Sequence, residues 1–69
     1  MPLGMAKVGE EGMIRCVKGQ DSVRQHLVEL GFVQGERVRV ISEWGGSMIL
    51  CVKGSRVALD RALAMRILL

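Results

Sequence analysis

The sequence predicts a mainly β fold, a small antiparallel barrel with one helix inserted early and a short helical turn before the last strand. Short apolar runs, each with the length and alternation of a strand, are separated by glycine-containing turns along most of the chain. Only one stretch has the periodicity of a helix. A small barrel is one of the few layer arrangements that satisfy such a pattern.

The 69 residues leave room for one domain, 1–69, and a chain of this length buries only roughly 60% of the surface that its unfolded form exposes. Hydrophobic residues make up 49% of the chain, which excludes disorder, but only Phe32 and Trp44 are aromatic. We therefore expect an aliphatic core. The net charge of +3 comes from scattered basic residues and weakly favours anionic partners.

No apolar run approaches the length of a membrane span, and the first residues lack the pattern of a signal peptide. Cys16 and Cys51 lie in separate apolar runs without a C-x-x-C spacing, so we expect reduced thiols that pack as small core residues. The sequence therefore predicts a soluble, cytoplasmic protein without direct membrane insertion.

The helix is predicted over residues 22–30. Ser22 and Gln25 have the S-x-x-Q spacing of a capping box, with Asp21 as a competing N-cap. One apolar stripe follows at helical spacing. Its members are Val23, Leu27 and Leu30.

Two glycines predict a sharp corner after the helix. Gly31 stands at the C′ position, where a left-handed residue ends a helix most easily, and Phe32 can then contact Leu27 as in a Schellman motif. Gly35 is the third residue of a turn over 33–36, the position that requires positive φ in a type II turn. The chain should therefore leave the helix at a fixed angle.

Three strands after the corner are predicted to form an antiparallel meander. Gly45 and Gly46 make the tip of the first hairpin, and Gly54 with Ser55 reverses the chain again. Asp60 can cap a single helical turn before the last strand. These predicted strands cover residues 37–43, 48–53, 56–59 and 65–69, with the helical turn at 61–63.

The chain before the helix is predicted to contain one long strand. Residues 13–18 form an apolar run with polar interruptions, bounded by Gly12 and Gly19. Residues 1–11 are interpreted as a loosely packed lead-in, with Leu3 and Met5 as its anchors.

Several of these segments together resemble the ferrous iron transport protein A (FeoA) family. The likeness covers about residues 9–69, and the L-x-x-L-G-h-x-x-G pattern of residues 27–35 is its most specific part. The other matching positions are Gly9, Gly12, residues 38–40, residues 54–59, Ala64 and Ile67. The resemblance implies an SH3-like barrel in a small cytoplasmic protein that assists the membrane GTPase of ferrous iron uptake.

The same barrel also forms the terminal module of iron-dependent repressors, which is the nearest alternative that the resemblance leaves. Such repressors carry a helix-turn-helix and dimerisation helices, and this chain has neither pattern. A free-standing accessory module therefore fits the sequence better than a repressor.

We predict no catalytic residue, metal ligand or cofactor. His26 is the only histidine, and no pattern places it beside a cysteine or carboxylate, as nucleophilic catalysis or a metal site would need. The chain has no G-x-x-x-x-G-K-[ST], so it lacks a P-loop for GTP. Packing in apolar strands accounts for three of the five methionines, namely Met13, Met48 and Met65.

Strand alternation predicts a surface for a partner. In residues 48–52 both faces are apolar, so Ile49 points outward when its neighbours point inward, and Ile41 has the same parity as the exposed arginines. Contiguous exposed apolar residues indicate contacts. We define the outer patch as Arg37, Arg39, Ile41, Trp44 and Ile49, and the resemblance implies the cytoplasmic domain of a ferrous iron transporter GTPase as its partner.

Two alternatives to this interpretation of the outer patch remain. The helix or the N-terminal segment could cover it. A basic stripe with Lys53 and Arg56 could instead bind nucleic acid, but stacking on bases needs aromatic side chains and only Trp44 could supply one. The sequence therefore favours a protein partner and no nucleic acid.

Overall fold

A computed structural model describes residues 1–69 and confirms a mainly β, antiparallel fold. No helix is long and apolar enough to cross a membrane. The elements in chain order are a 3-10 turn (Leu3–Met5), β1 (Glu11–Met13), β2 (Cys16–Val17), α1 (Asp21–Glu29), β3 (Arg37–Trp44), β4 (Ser47–Val52), β5 (Ser55–Asp60), α2 (Arg61–Ala64) and β6 (Ile67–Leu68).

The strands form two sheets. Four strands pair antiparallel in the order β1-β3-β4-β5, which contains the predicted meander, and β2 pairs with β6 in a separate two-stranded ribbon. The last strand is shorter than predicted, because Met65 ends α2 instead of joining β6. The core lies on the inner side of the four-stranded sheet.

Each hairpin of the meander has a two-residue turn. Gly45 alone has positive φ in the first, as in a type II′ turn. In the second turn both Lys53 (φ 52°) and Gly54 (φ 75°) are left-handed, as in a type I′ turn. The predicted reversal at Gly54 and Ser55 is therefore wrong by one residue, because Ser55 already belongs to β5 and Lys53 takes the first turn position.

The predicted single strand over residues 13–18 is wrong, because the chain changes sheets in its middle. Ile14 is buried, donates its N–H to the carbonyl of Glu36 (2.9 Å) and accepts from the N–H of Gly35 (2.8 Å), so it still pairs beside β3. The N–H of Arg15 instead donates to the carbonyl of Leu68, at 2.7 Å. The switch between sheets thus falls between Ile14 and Arg15.

The predicted capping box is also wrong. The helix starts one residue earlier than expected, at Asp21, and its N-cap is Gln20, which makes no side-chain capping bond. Asp21 pairs with Arg24 one turn later. Ser22 is therefore the second helical residue, a position from which it cannot act as the N-cap.

The corner after the helix is confirmed. The N–H of Phe32 donates to the carbonyl of Leu27 (3.0 Å) and the N–H of Gly31 to that of Val28 (2.9 Å), which are the two bonds of a Schellman motif. Gly31 has φ of +107°. The next turn is closed by a hydrogen bond from the N–H of Glu36 to the carbonyl of Val33, at 3.1 Å. Its third residue, Gly35, has φ of +90°, as a type II turn requires.

The core contains thirteen buried apolar residues contributed by every part of the chain. The N-terminal segment takes part in it, since Leu3 and Ala6 are almost fully buried, so the loosely packed lead-in was a wrong prediction. Leu3 is an anchor, but Met5 is 63% exposed. The core residues are Leu3, Ala6, Ile14, Leu27, Phe32, Val38, Val40, Met48, Leu50, Val52, Leu59, Ala64 and Ile67.

Candidate docking surface

The outer face of the four-stranded sheet is built by the alternation of β4. Its even-numbered side chains, Met48, Leu50 and Val52, are buried in the core. Ile49 and Cys51 point to the other side and are half-buried. This side of the sheet is where the structure places the outer patch.

A β-bulge rearranges the predicted outer patch. β3 and β4 pair at Val40 with Leu50 and then at Ser42 with Ile49, so Ile41 is an extra residue between two successive pairs. Ile41 is half-buried at this irregularity. Simple alternation along β3 therefore holds only up to Val40.

The bulge also decides where Trp44 lies. Beyond it, Trp44 pairs with Ser47, which shares the outward parity of Ile49, so the indole joins the outer face. Its exposure is 83%, the highest among the large hydrophobic side chains. Without the extra residue the same tryptophan would have pointed into the barrel.

The 3-10 turn and the helix pack on other parts of the fold. The 3-10 turn packs against α2 and β6, and α1 inserts Leu27 into the core on the inner side of the sheet. Trp44 is the exposed apolar side chain of the outer patch, whereas Ile41 and Ile49 are half-buried.

Basic side chains lie at one end of the outer patch. Arg37, Arg39 and Lys53 line a shallow cleft of about 400 Å³ together with carboxylates of Glu11 and Glu36. The Nε of Arg39 lies 3.9 Å from Oε2 of Glu11, and both side chains are about half exposed, so this pair contributes little to stability. The acidic neighbours make the cleft a poor continuous track for a nucleic-acid backbone.

Arg39 also belongs to a row of residues across the sheet. Cys51 pairs with Arg39 on one side and with Arg56 on the other, so both guanidinium side chains flank the half-buried thiol. Arg56 is exposed and makes no ion pair with a carboxylate of the chain. Arg56 therefore adds a third arginine to the outer face, next to Arg37 and Arg39.

A second concave surface, which the sequence did not predict, lies between α1, β2 and the corner. It is a groove of about 490 Å³ with an apolar base and a polar rim. Val28 is its most exposed apolar member. An apolar residue on α1 outside the predicted stripe was the one feature of the sequence that could have indicated this groove. The lining residues are Val17, Val28, Phe32 and Val33 with Asp21, Arg24, Gln25 and Gln34.

The two cysteines do not pack as core residues, so that interpretation was wrong. Cys16 is exposed on β2 and Cys51 is half-buried on the outer face, and both are free thiols. His26 is exposed in the last turn of α1. No three side chains of His, Cys, Asp or Glu come together as a group that could hold a metal ion.

The methionines differ in their surroundings more than the sequence suggested. Met48 is fully buried, in line with a role in packing. Met13 and Met65 are 52% and 40% exposed, so the explanation of these two by core packing was wrong. Met13 is exposed because β1 turns it to the outer face, where it pairs with Arg37.

The two antiparallel sheets and their short helices define a small SH3-like domain. Comparison with known proteins identifies the family of this domain, because the model of the FeoA domain family matches residues 1–69. The chain is also 37% identical, over 67 residues, to a protein of Methanocaldococcus jannaschii named provisionally as Fe(2+) transport protein A, with 97% of this chain and 82% of the relative covered. The chain belongs to the FeoA domain family.

Solved structures agree with this placement. A crystal structure of an iron uptake regulatory protein, FeoA, superposes with a TM-score of 0.90 at 29% identity, covering 97% of this chain and 91% of that one. The structure of Stenotrophomonas maltophilia FeoA complexed with zinc superposes with a TM-score of 0.86 at 28% sequence identity, and the match covers 99% of this chain and 87% of that one. That protein is described as an SH3 domain protein and a candidate ferrous iron transport activating factor.

A manganese-dependent transcriptional repressor has the same fold in part of its chain. Its TM-score is 0.87 at 18% identity, and the match covers 97% of this chain but only 39% of the repressor. At this identity the likeness shows the fold alone. The predicted occurrence of this barrel fold in part of such a repressor is confirmed.

Proposed function

We propose that this protein is a non-enzymatic accessory component of ferrous iron uptake that docks, in the cytoplasm, on the cytoplasmic domain of the membrane iron transporter, a GTPase. Membership of the FeoA domain family supports a role in ferrous iron uptake, because the names of the relatives refer to Fe(2+) transport. One structural observation supports docking: the exposed Trp44 and the half-buried Ile49 share the outer face of the sheet with basic neighbours.

The outer patch has the composition of a protein contact. Tryptophan and arginine are enriched among the residues that contribute most to binding, and Trp44 and Arg39 supply both types here. Ile49 lies between them as a half-buried apolar centre. A complementary surface would present an apolar cluster edged by carboxylates.

Ile49 is the position at which docking through the outer patch is tested most directly. Ile49→Asp should abolish capture of the transporter's cytoplasmic domain in a pull-down, because it removes buried apolar area and would bury an unpaired charge. Val28→Asp is the matched control, since Val28 is an exposed valine in the groove beside α1. It should leave capture unchanged.

Arg39 tests the basic edge of the same surface. Arg39→Glu reverses an exposed charge, so its effect on capture should be clear at low salt and should shrink as added salt screens it. The effect of Ile49→Asp should persist at high salt. Circular dichroism first confirms that every variant is folded.

The outcomes separate the surface from the function. Loss of capture in Val28→Asp but not in Ile49→Asp would move the contact to the groove and refute the outer patch. If the wild-type protein captures no cytoplasmic part of the transporter at either salt concentration, the docking function itself is refuted.

A further inference from the structure

The four-stranded sheet ends in an open edge at β5. The sheet order places β4 on one side of β5 and no strand on the other. The two-residue turn at Lys53 and Gly54 makes Val52 and Ser55 a hydrogen-bonded pair, so the pairing alternates from there. The N–H and C=O groups of Arg56 and Ala58 therefore point away from β4.

These edge groups have no partner within the chain. None of the backbone bonds outside the sheets and helices involves Arg56 or Ala58. Both residues are exposed. An exposed edge of this kind is a template for a further strand, unless its side chains prevent pairing.

The side chains of β5 favour one particular added strand, which is a second copy of β5. In an antiparallel pairing in which Ala58 lies opposite Ala58 of the other copy, Arg56 lies opposite Asp60 and Asp60 opposite Arg56. Opposite charges facing each other across a ladder stabilise it. The shifted register that pairs Arg56 with itself would set like charges together, so the charges select the first register.

Both charges are free to make this contact. Neither Arg56 nor Asp60 takes part in an ion pair within the chain. Asp60 is the N-cap residue of α2, yet its side chain makes no capping bond. Ala58 at the centre is small enough to let two strands approach, and Val57, half-buried at the edge, would lie opposite Leu59.

We propose that the β5 edge is a self-association surface, through which two copies join by antiparallel β5–β5 pairing into one continuous eight-stranded sheet. The row that contains Ile49 and Ala58 in one copy then continues into Ala58 and Ile49 of the other. Because the contact is a single pair of strands, smaller than a standard interface, the dimer is weak and depends on protein concentration. This pairing does not rest on the proposed docking function.

Sedimentation equilibrium of the purified chain, from micromolar to millimolar concentration, measures the association. The average mass should rise from that of the 7.6 kDa monomer towards twice that value. Arg56→Asp should weaken association about ten-fold or more, since it turns two attractive pairs into repulsive ones. Combining it with Asp60→Arg should restore association, because the complementary charges are then exchanged.

Two further variants separate edge pairing from a general charge effect. Lys18→Asp makes the same charge change at an exposed residue outside the four-stranded sheet, and it should leave association unchanged. Ala58→Pro removes the central donor, whose loss costs the monomer no hydrogen bond, and should abolish association. A wild-type chain that stays monomeric throughout, or a dimer that tolerates both Arg56→Asp and Ala58→Pro, would overturn the proposal.

Discussion

The corner at residues 31–36 and the sheet switch at residues 12–17 differ in where their hydrogen bonds go. Every bond that defines the corner joins residues at most five apart, from Phe32 to Leu27 and from Glu36 to Val33. The switch is made by bonds from Ile14 to Glu36 and from Arg15 to Leu68. Local signals can specify the first region, whereas only the assembled fold specifies the second.

The two regions also contact each other. The N–H of Gly35 donates to the carbonyl of Ile14, and the N–H of Ile14 donates to the carbonyl of Glu36, at 2.8 and 2.9 Å. The turn thus holds a donor and an acceptor at the spacing that an approaching strand needs. The local structure supplies the template on which the non-local one is built.

The largest expected effect is at the switch. Ile14→Ala should lower the free energy of unfolding by about 2–5 kcal/mol, because it leaves a cavity where a fully buried side chain packed. Met13→Ala, at the neighbouring but 52% exposed position, should change it by less than about 0.5 kcal/mol. Urea unfolding measures both, and similar losses would show that the burial pattern across the switch is misassigned.

A smaller effect is expected at the corner. Gly35→Val should destabilise the fold by about 1–3 kcal/mol, because a β-branched residue is strained at φ of +90°. Apart from its two chain neighbours, no residue has an atom within 4 Å of where its Cβ would stand, so the cost comes from the backbone and not from a clash. Gln34→Val, at the exposed neighbouring position, should be mild, and equal melting temperatures for Gly35→Val and wild type would contradict the type II turn.

The same division explains what could be predicted from the sequence. The Schellman motif, the type II turn and the inward parity of β4 depend on residues close in sequence, and each was predicted. The bulge at Ile41 was missed, because the break in alternation at Val40 and Ile41 was interpreted as an exposed apolar residue. Its position follows from how β3 and β4 must pair between two turns.

The outer patch was only partly predictable for the same reason. Ile49 and Arg39 follow from alternation, but Trp44 reaches the outer face through the bulge, and the parity argument alone would have directed it inward. The groove beside α1 joins Val17, Val28 and Val33 from three elements, so no single stretch of sequence contains it. A surface that depends on how elements pack needs the fold before it can be seen.

The smallest expected effect tests a local signal that the fold does not use. Ser22→Ala should change the free energy of unfolding by less than about 0.5 kcal/mol, because the helix begins at Asp21 and Ser22 is not its N-cap. A true N-cap serine would cost about 0.5–2 kcal/mol on the same change. Gln20→Asp supplies the matched comparison, since it places a good capping side chain where the helix starts and should stabilise by up to about 1 kcal/mol. If Ser22→Ala lowers the free energy of unfolding by such an amount and Gln20→Asp leaves it unchanged, Ser22 is the N-cap and the capping box is correct. The start of α1 would then be specified by local sequence, as the corner that ends it is.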